Sequence, residues 1–241
     1  QINQLAQVTN MVQSAIAASE RVFEFLDALQ QNNDKPWFDA NKAWYLEVKN
    51  YFDGFVAELI ERIEDFDDSI YGLNVSDCTY RIYRDVRFSK DKTPYKTHFC
   101  AYVCPKGKKS GFGGYYFHLE AEDGNYIGAN LLGTGVVCMP NPVIRSIRED
   151  VYSLYNEFED IVTHSGDFRL DMSSKMKVGP KDFPKDCEAR EYLKLRDFLL
   201  SKTIDRDFVL ADNLAERLAN EFEKTKRFND FINRAIAAGK E

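Results

Sequence analysis

The chain lacks any long, purely apolar run and any basic segment followed by an apolar leader. Those absences predict a soluble, cytoplasmic protein with no membrane span. The five cysteines, Cys78, Cys100, Cys104, Cys138 and Cys187, are odd in number and carry no CxxC spacing. They read as reduced thiols rather than as a disulfide framework. Cys100 and Cys104, four apart on an expected strand, do not make a zinc site by themselves. Histidine is scarce, with three copies, and there is no P-loop, HExxH, paired-glycine fingerprint or nucleophile elbow. The chain therefore carries no standard nucleotide-binding, metalloprotease or hydrolase signature. Internal repeats and low-complexity tracts are missing as well.

What is present is an ordinary globular composition, 44% apolar and 29% charged over 241 residues, enough for a sizeable core. A net charge of −7 argues against a general nucleic-acid-coating role. The charge is unevenly spread. Residues 80 to 109 hold nine Lys and Arg against two Asp, a local excess of +7 that leaves −14 on the remainder. Exposed charges act over a Debye length of about 8 Å at physiological salt, so such an excess is a property of one site.

Residues 1 to 19 contain no charged side chain. Leu5, Val8, Val12, Ala15, Val22, Leu26 and Leu29 recur at helical spacing and predict an amphipathic helix that packs on its own domain or on a second copy of the chain. The expected division is an N-terminal helix over residues 1–30, partly an extension, and a single α+β domain over residues 31–241. Pro36 suits a first helical turn and opens one long helix or two, with Gly54 as a break. Trp37, Asn41 and Tyr45, four apart, share a face.

From Cys78 to about Met139, β-branched and aromatic residues alternate and are punctuated by turn clusters, predicting four antiparallel strands near 79–88, 97–104, 115–122 and 126–138. The Asp-Gly-Asn sequence at 123–125 reads as the turn of the last hairpin. Helices are expected at 143–162, 188–200 and 212–237. The fold class is thus α+β, an antiparallel sheet of about four strands with helices from both the N- and C-terminal parts packed on one face.

Period-2 alternation gives the first expected strand two faces, with Arg81, Tyr83, Asp85 and Arg87 on one and Arg84 breaking the apolar parity of the other. Phe99, Ala101 and Val103 form the apolar set of the second strand, Tyr115, Phe117 and Leu119 that of the third, and Ile127, Ala129 and Leu131 that of the fourth. If these face the helices, Arg81, Tyr83, Asp85, Arg87, His98, His118, Glu120 and Asn130 gather on the other side. Arginine binds carboxylate or phosphate bidentately, and Lys90, Lys92 and Lys96 surround a Pro-containing turn able to fold over that floor. Alternatively, Asp85 and Asp91 pair with the neighbouring cations as a purely structural knot.

Together Arg81, Arg84, Asp85, Arg87, Phe88, Asp91, Lys92 and Tyr95 read RxxRDxRFxxDKxxY. This resembles the signature of the family called domain of unknown function 2461. The stretch NNDKPWFDANKAWY from Asn32 to Tyr45 resembles that family's opening motif, and PKDFPKD from Pro180 a later one, with Cys187 where the family pattern has His. The similarity spans about residues 20 to 238 and implies an α+β domain without an assigned activity. Residues 1–27 weakly resemble the connector that precedes the nucleotide-binding domain of ATP-binding-cassette exporters, with no ATP-site motif among them.

Three functions follow. The first is a binding module in which Arg81, Arg84, Arg87, Lys92 and Lys96 hold a phosphate- or carboxylate-bearing ligand, Tyr83 and Tyr95 orient it, Asp85 fixes the arginines, and Asn41 and Tyr45 complete the site. The second is an enzyme with Asp85 or His118 as general base beside the arginines, a variant of which adds a metal at His98, His118 and Glu120. The third is a nucleic-acid or protein interaction module using the basic loops. The first is preferred, with no cofactor and no metal assigned.

Overall fold

A computed structural model describes residues 18–239. Helix α1 (18–31) buries Val22, Leu26 and Leu29 in the main core, as their spacing predicts, and Phe23 and Phe25 beside them. The expected helix ahead of residue 18 lies outside the described residues. Asp34 caps α2 (Lys35–Ala40), its carboxylate accepting the Trp37 N–H at 2.8 Å, and Pro36 occupies the first turn where its missing donor costs nothing. After a break at Asn41, α3 (Lys42–Glu64) runs straight through Gly54, which is exposed and has nothing near its missing Cβ. A short α4 (Val75–Cys78) then leads into the β region.

The sheet has five antiparallel strands: β1 (His98–Val103), β2 (Gly114–Glu120), β3 (Asn130–Val136), β4 (Arg169–Leu170) and β5 (Phe198–Ile204), in the order β1-β2-β3-β5-β4. The fold is α+β. One face carries Phe99, Ala101, Phe117 and Leu132 into the core. Phe52 and Phe55 of α3 cover it, 5.1 Å from Phe99 and 5.4 Å from Phe117, and Phe222 of helix Leu214–Glu223 lies 5.3 Å from Tyr115. Buried aromatics of this kind supply most of the energy of such a layer.

The chain departs from its sequence pattern in several elements. Residues 79–88 form no strand: their β-bridge to the sheet is Thr79 to Ala101, and Tyr83 bridges to Tyr95 outside it. Here Arg84 N–H donates to Pro94 O and Lys96 N–H to Ile82 O, while Asp85 and Asp91 bond locally to the backbone at Arg87 and Thr93. Local side-chain bonds of this type compete with a ladder. The helix expected at 143–162 is two, α5 (Asn141–Ser153) and α6 (Tyr155–Thr163), broken at Leu154. That expected at 188–200 shrinks to α7 (Arg190–Leu193), because residues 198–204 are the strand β5. The open edge of β3 needs partners for its N–H and C=O groups, and this need overrides the helix-favouring Leu and Lys. The last expected helix is three, α8 (Arg206–Leu210), α9 (Leu214–Glu223) and α10 (Lys226–Ala238).

In the β3–β5 pair Gly135 has a φ of +115° and no side chain, and both are required: a Cβ there would lie 2.1 Å from the Phe198 carbonyl oxygen. Gly135→Ala is expected to cost about 3 kcal/mol or more, read as a lower urea midpoint. An unchanged midpoint would contradict the close approach.

Candidate functional site on the open sheet face

The face of the sheet turned away from α3 carries His98, Cys100 and Tyr102 of β1 directly opposite Glu120, His118 and Tyr116 of β2. This is the parity expected of those two strands. The face floors a groove of about 800 Å³ lined by Tyr80, Lys96, Cys100, Tyr102, Tyr116 and Tyr126, among others. A second cleft of about 550 Å³ shares Lys96, His98 and Tyr126 with it and extends to Asn33, Arg84 and Asp91.

The centre of the site is a buried carboxylate. Glu120 accepts three consecutive backbone N–H groups, from Tyr126 at 2.6 Å, Ile127 at 2.9 Å and Gly128 at 2.9 Å, and lies 3.2 Å from His118 Nε2. Successive N–H groups pointing inward make an anion-binding concavity, here filled by the protein's own side chain. Two glycines permit it: Gly128 has φ +81°, and a Cβ on Gly124 would lie 2.2 Å from Glu120 Cγ. Burial alone would push the Glu120 carboxyl up, but the three amides and His118 outweigh it and hold the carboxyl below its ordinary value.

That anion dictates the state of His118. A carboxylate only accepts, so Nε2 carries the proton and donates, leaving the Nδ1 lone pair to accept the Tyr116 hydroxyl at 2.9 Å. Burial, opposed by Glu120, keeps the His118 imidazole below its usual pKa. The result is a hydrogen-bonded chain Glu120–His118–Tyr116 that ends in the groove. Beside it, His98 is stacked on Tyr126 at 4.4 Å and lies 4.7 Å from the His118 ring, and its buried Nδ1 has no hydrogen-bond partner among the described residues. Burial first, then His118 and Lys96, push His98 down to about 3, so it is neutral at physiological pH. Lys96 is pushed down by burial, and among the described residues no carboxylate pairs with it; its ammonium lies 5.4 Å from the Tyr80 ring.

The residues expected to gather with these histidines divide. Lys96 lies on the groove, and Arg84 and Tyr95 line the adjoining cleft. Arg84 is clasped there: its Nη1 donates to Asp91 at 2.5 Å, to Thr93 O at 3.0 Å and to Thr93 Oγ1. The Thr93 backbone N–H, then Arg84 and the Thr93 hydroxyl, hold the Asp91 carboxyl down to about 2. Asp85 and Arg87 form a bidentate pair on the surface at 2.9 and 2.6 Å. Lys92 turns back on Val86 O at 2.9 Å, and Arg81 is exposed. Tyr83 is half-exposed against Phe38 and Tyr95. Asn41 bonds to Trp37 O, and Tyr45 is buried between Phe25 and Phe38, both away from the groove.

β3 starts at Asn130, four residues later than expected, because the amides of residues 126–128 serve Glu120 instead of the ladder. The register pairs Leu131 with His118 and Leu132 with Phe117. Leu131 therefore faces the groove and Asn130 does not, the reverse of the expected parity, although Asn130 Oδ1 still accepts the Glu120 N–H at 3.0 Å. The Asp-Gly-Asn sequence is no tight turn either; it belongs to the nine-residue loop that wraps Glu120. Tyr116, Tyr126 and Cys100 are the site residues the sequence reading did not assign. Cys100 and Tyr116 each stand two residues from a histidine on the same face, and that spacing was the available signal.

The family model described as "Conserved hypothetical protein (DUF2461)" matches residues 21–231. The chain belongs to the DUF2461 family. No curated protein and no solved structure matches it. In this DUF2461 chain the two motifs that carry the resemblance meet in space: Asn33 Oδ1 accepts the Tyr95 N–H at 3.1 Å, Asn33 Nδ2 donates to Tyr95 O at 2.9 Å, and the Phe38 and Tyr95 rings stack at 4.0 Å. The motif residues thus build the clasp at the mouth of the cleft.

Glu120→Ala would strand three amides and an imidazole donor inside the protein. The expected cost is about 3 kcal/mol or more, with lost hydrogen-exchange protection at the amides of residues 126–128. A cost under about 1 kcal/mol would mean that the concavity is not held by this anion.

Proposed function

We propose that this DUF2461 chain binds a small molecule carrying a phosphate or carboxylate along the groove, the anionic group between Lys96 and Arg84 and the body of the ligand over Tyr126 and Tyr116. One observation carries the reading. Lys96 is a half-buried cation at the junction of the two cavities, and among the described residues it has no carboxylate partner. Burying an ammonium without a counter-charge is costly, and an arriving anion removes that cost. Arg84 is held rigid by Asp91 and Thr93 with its side chain about a quarter exposed, so it offers the anion a fixed second donor. Aromatic rings above the floor suit a flat or partly apolar ligand body. Arg81, Arg87 and Lys92 contribute long-range attraction rather than contact.

A second reading has its own support. The chain Glu120–His118–Tyr116 delivers an oriented imidazole and a phenol to the groove, an arrangement suited to proton transfer to a bound ligand. In this reading His118 and Tyr116 act, and Asp85, committed to Arg87 on the surface, does not.

Isothermal titration of the full chain with nucleotides, sugar phosphates and small carboxylates tests the first reading. At least one class is expected to bind, and Lys96→Gln to weaken it about 10- to 100-fold, the worth of one charge-assisted hydrogen bond. Binding that ignores Lys96→Gln, or no binding across the panel, would sink it. Tyr116→Phe separates the two readings, since it should spare affinity while removing any turnover of a bound ester.

A further inference from the structure

The groove floor holds a second constellation that the proposed anion does not use. His98, Cys100 and His118 are all buried, and one nitrogen of each imidazole and the Cys100 sulfur lie within 4.8 Å of one another. Topology produces the cluster: His98 and Cys100 are two apart on one face of β1, and His118 of β2 stands directly opposite Cys100. Cys100 is a free thiol. From the structure we infer that His98, Cys100 and His118 form a binding site for a divalent late transition metal of the zinc class, with Glu120 as the outer carboxylate that orients His118.

Four features support the site, and none of them depends on anion binding. The donor set, two imidazoles and a thiol, is that of a borderline-soft metal and suits neither magnesium nor calcium. Among the described residues the buried Nδ1 of His98 has no hydrogen-bond partner, a state that is uncommon for a buried polar atom and that a ligand would relieve. Glu120 binds Nε2 of His118 and is itself tied to three backbone amides, which is how an outer carboxylate fixes a ligating histidine and raises its basicity. The lone pair that this tautomer leaves on Nδ1 points along the Tyr116 hydroxyl bond, so the metal takes the place of that hydroxyl and Tyr116 swings into the groove. Tetrahedral zinc with nitrogen at about 2.0 Å and sulfur at about 2.3 Å sets its ligands roughly 3.3–3.6 Å apart, so the side chains close by about 1 Å on binding. Three protein ligands leave a fourth position open toward the groove, as in sites that bind an exchangeable water or a ligand atom.

The test uses the full chain, stripped with a chelator under reducing conditions and titrated with Co²⁺ and then Zn²⁺. One ion per chain is expected, with a thiolate-to-cobalt charge-transfer band in the near ultraviolet. Cys100→Ser should abolish the band, and Glu120→Gln should weaken affinity about 10- to 100-fold. Tyr116→Phe should bind at least as tightly as the wild type. X-ray absorption of the zinc-loaded wild-type chain reads the ligand set without any mutation, and one sulfur with two imidazole nitrogens supports the site. Absence of the band in the wild type, a band surviving in folded Cys100→Ser, or a shell without sulfur overturns it.

Discussion

A carboxylate buried beneath a loop organises the open face of this protein. Glu120 cannot remain ionised in the interior unless its lone pairs are filled, and the chain fills them with three successive amides and one imidazole. Several structural features then follow from that single requirement. Residues 126–128 are withdrawn from the β ladder, β3 begins only at Asn130, and its parity turns Leu131 and Gly133 toward the groove. Tyr126 is carried over His98, and His118 is locked in one tautomer. Gly124 and Gly128 are needed because any side chain at the first would strike Glu120 and the second adopts a left-handed backbone.

The basic segment obeys the same electrostatics with a different outcome. Its two aspartates each take an arginine: Asp85 pairs with Arg87 on the surface and Asp91 with Arg84 at the mouth of the cleft. Exposed pairs of this kind contribute little to stability, and their role here is to shape the loop. Lys96 differs from these in being half-buried with no carboxylate partner among the described residues, and a charge in a low-dielectric recess acts more strongly than one in water. Asn33, Phe38, Arg84, Asp91 and Tyr95 make the clasp, and His98, His118 and Glu120 lie beside it on the sheet.

Much of the architecture was legible in the residues themselves. Alternation put His98 with Cys100 and His118 with Tyr116 and Glu120 on the polar face of β1 and β2, and apolar spacing marked α1 and the buried stripe of α5. Elsewhere local pattern misled. Residues 198–200, the expected end of a helix, instead open the interior strand β5, because the edge of β3 offers hydrogen bonds that no local preference can match. Residues 79–88 look like a strand and are not, because Asp85, Asp91 and Thr93 satisfy the chain locally. Asp-Gly-Asn looks like a hairpin turn, yet its glycine makes room for a carboxylate.

The α+β class, the facing of β1 and β2 and the local charge excess were fixed along the chain, since each rests on the chemistry and periodicity of neighbouring residues, and the family was carried by its motifs. Where β3 starts, that residues 198–204 enter the sheet, that Lys96 is half-buried with no carboxylate partner among the described residues, and that two histidines and a cysteine meet beside a buried glutamate were settled only by the tertiary structure. Those outcomes depend on which distant group satisfies each backbone amide and each buried charge, a competition settled across strands and loops rather than along the chain.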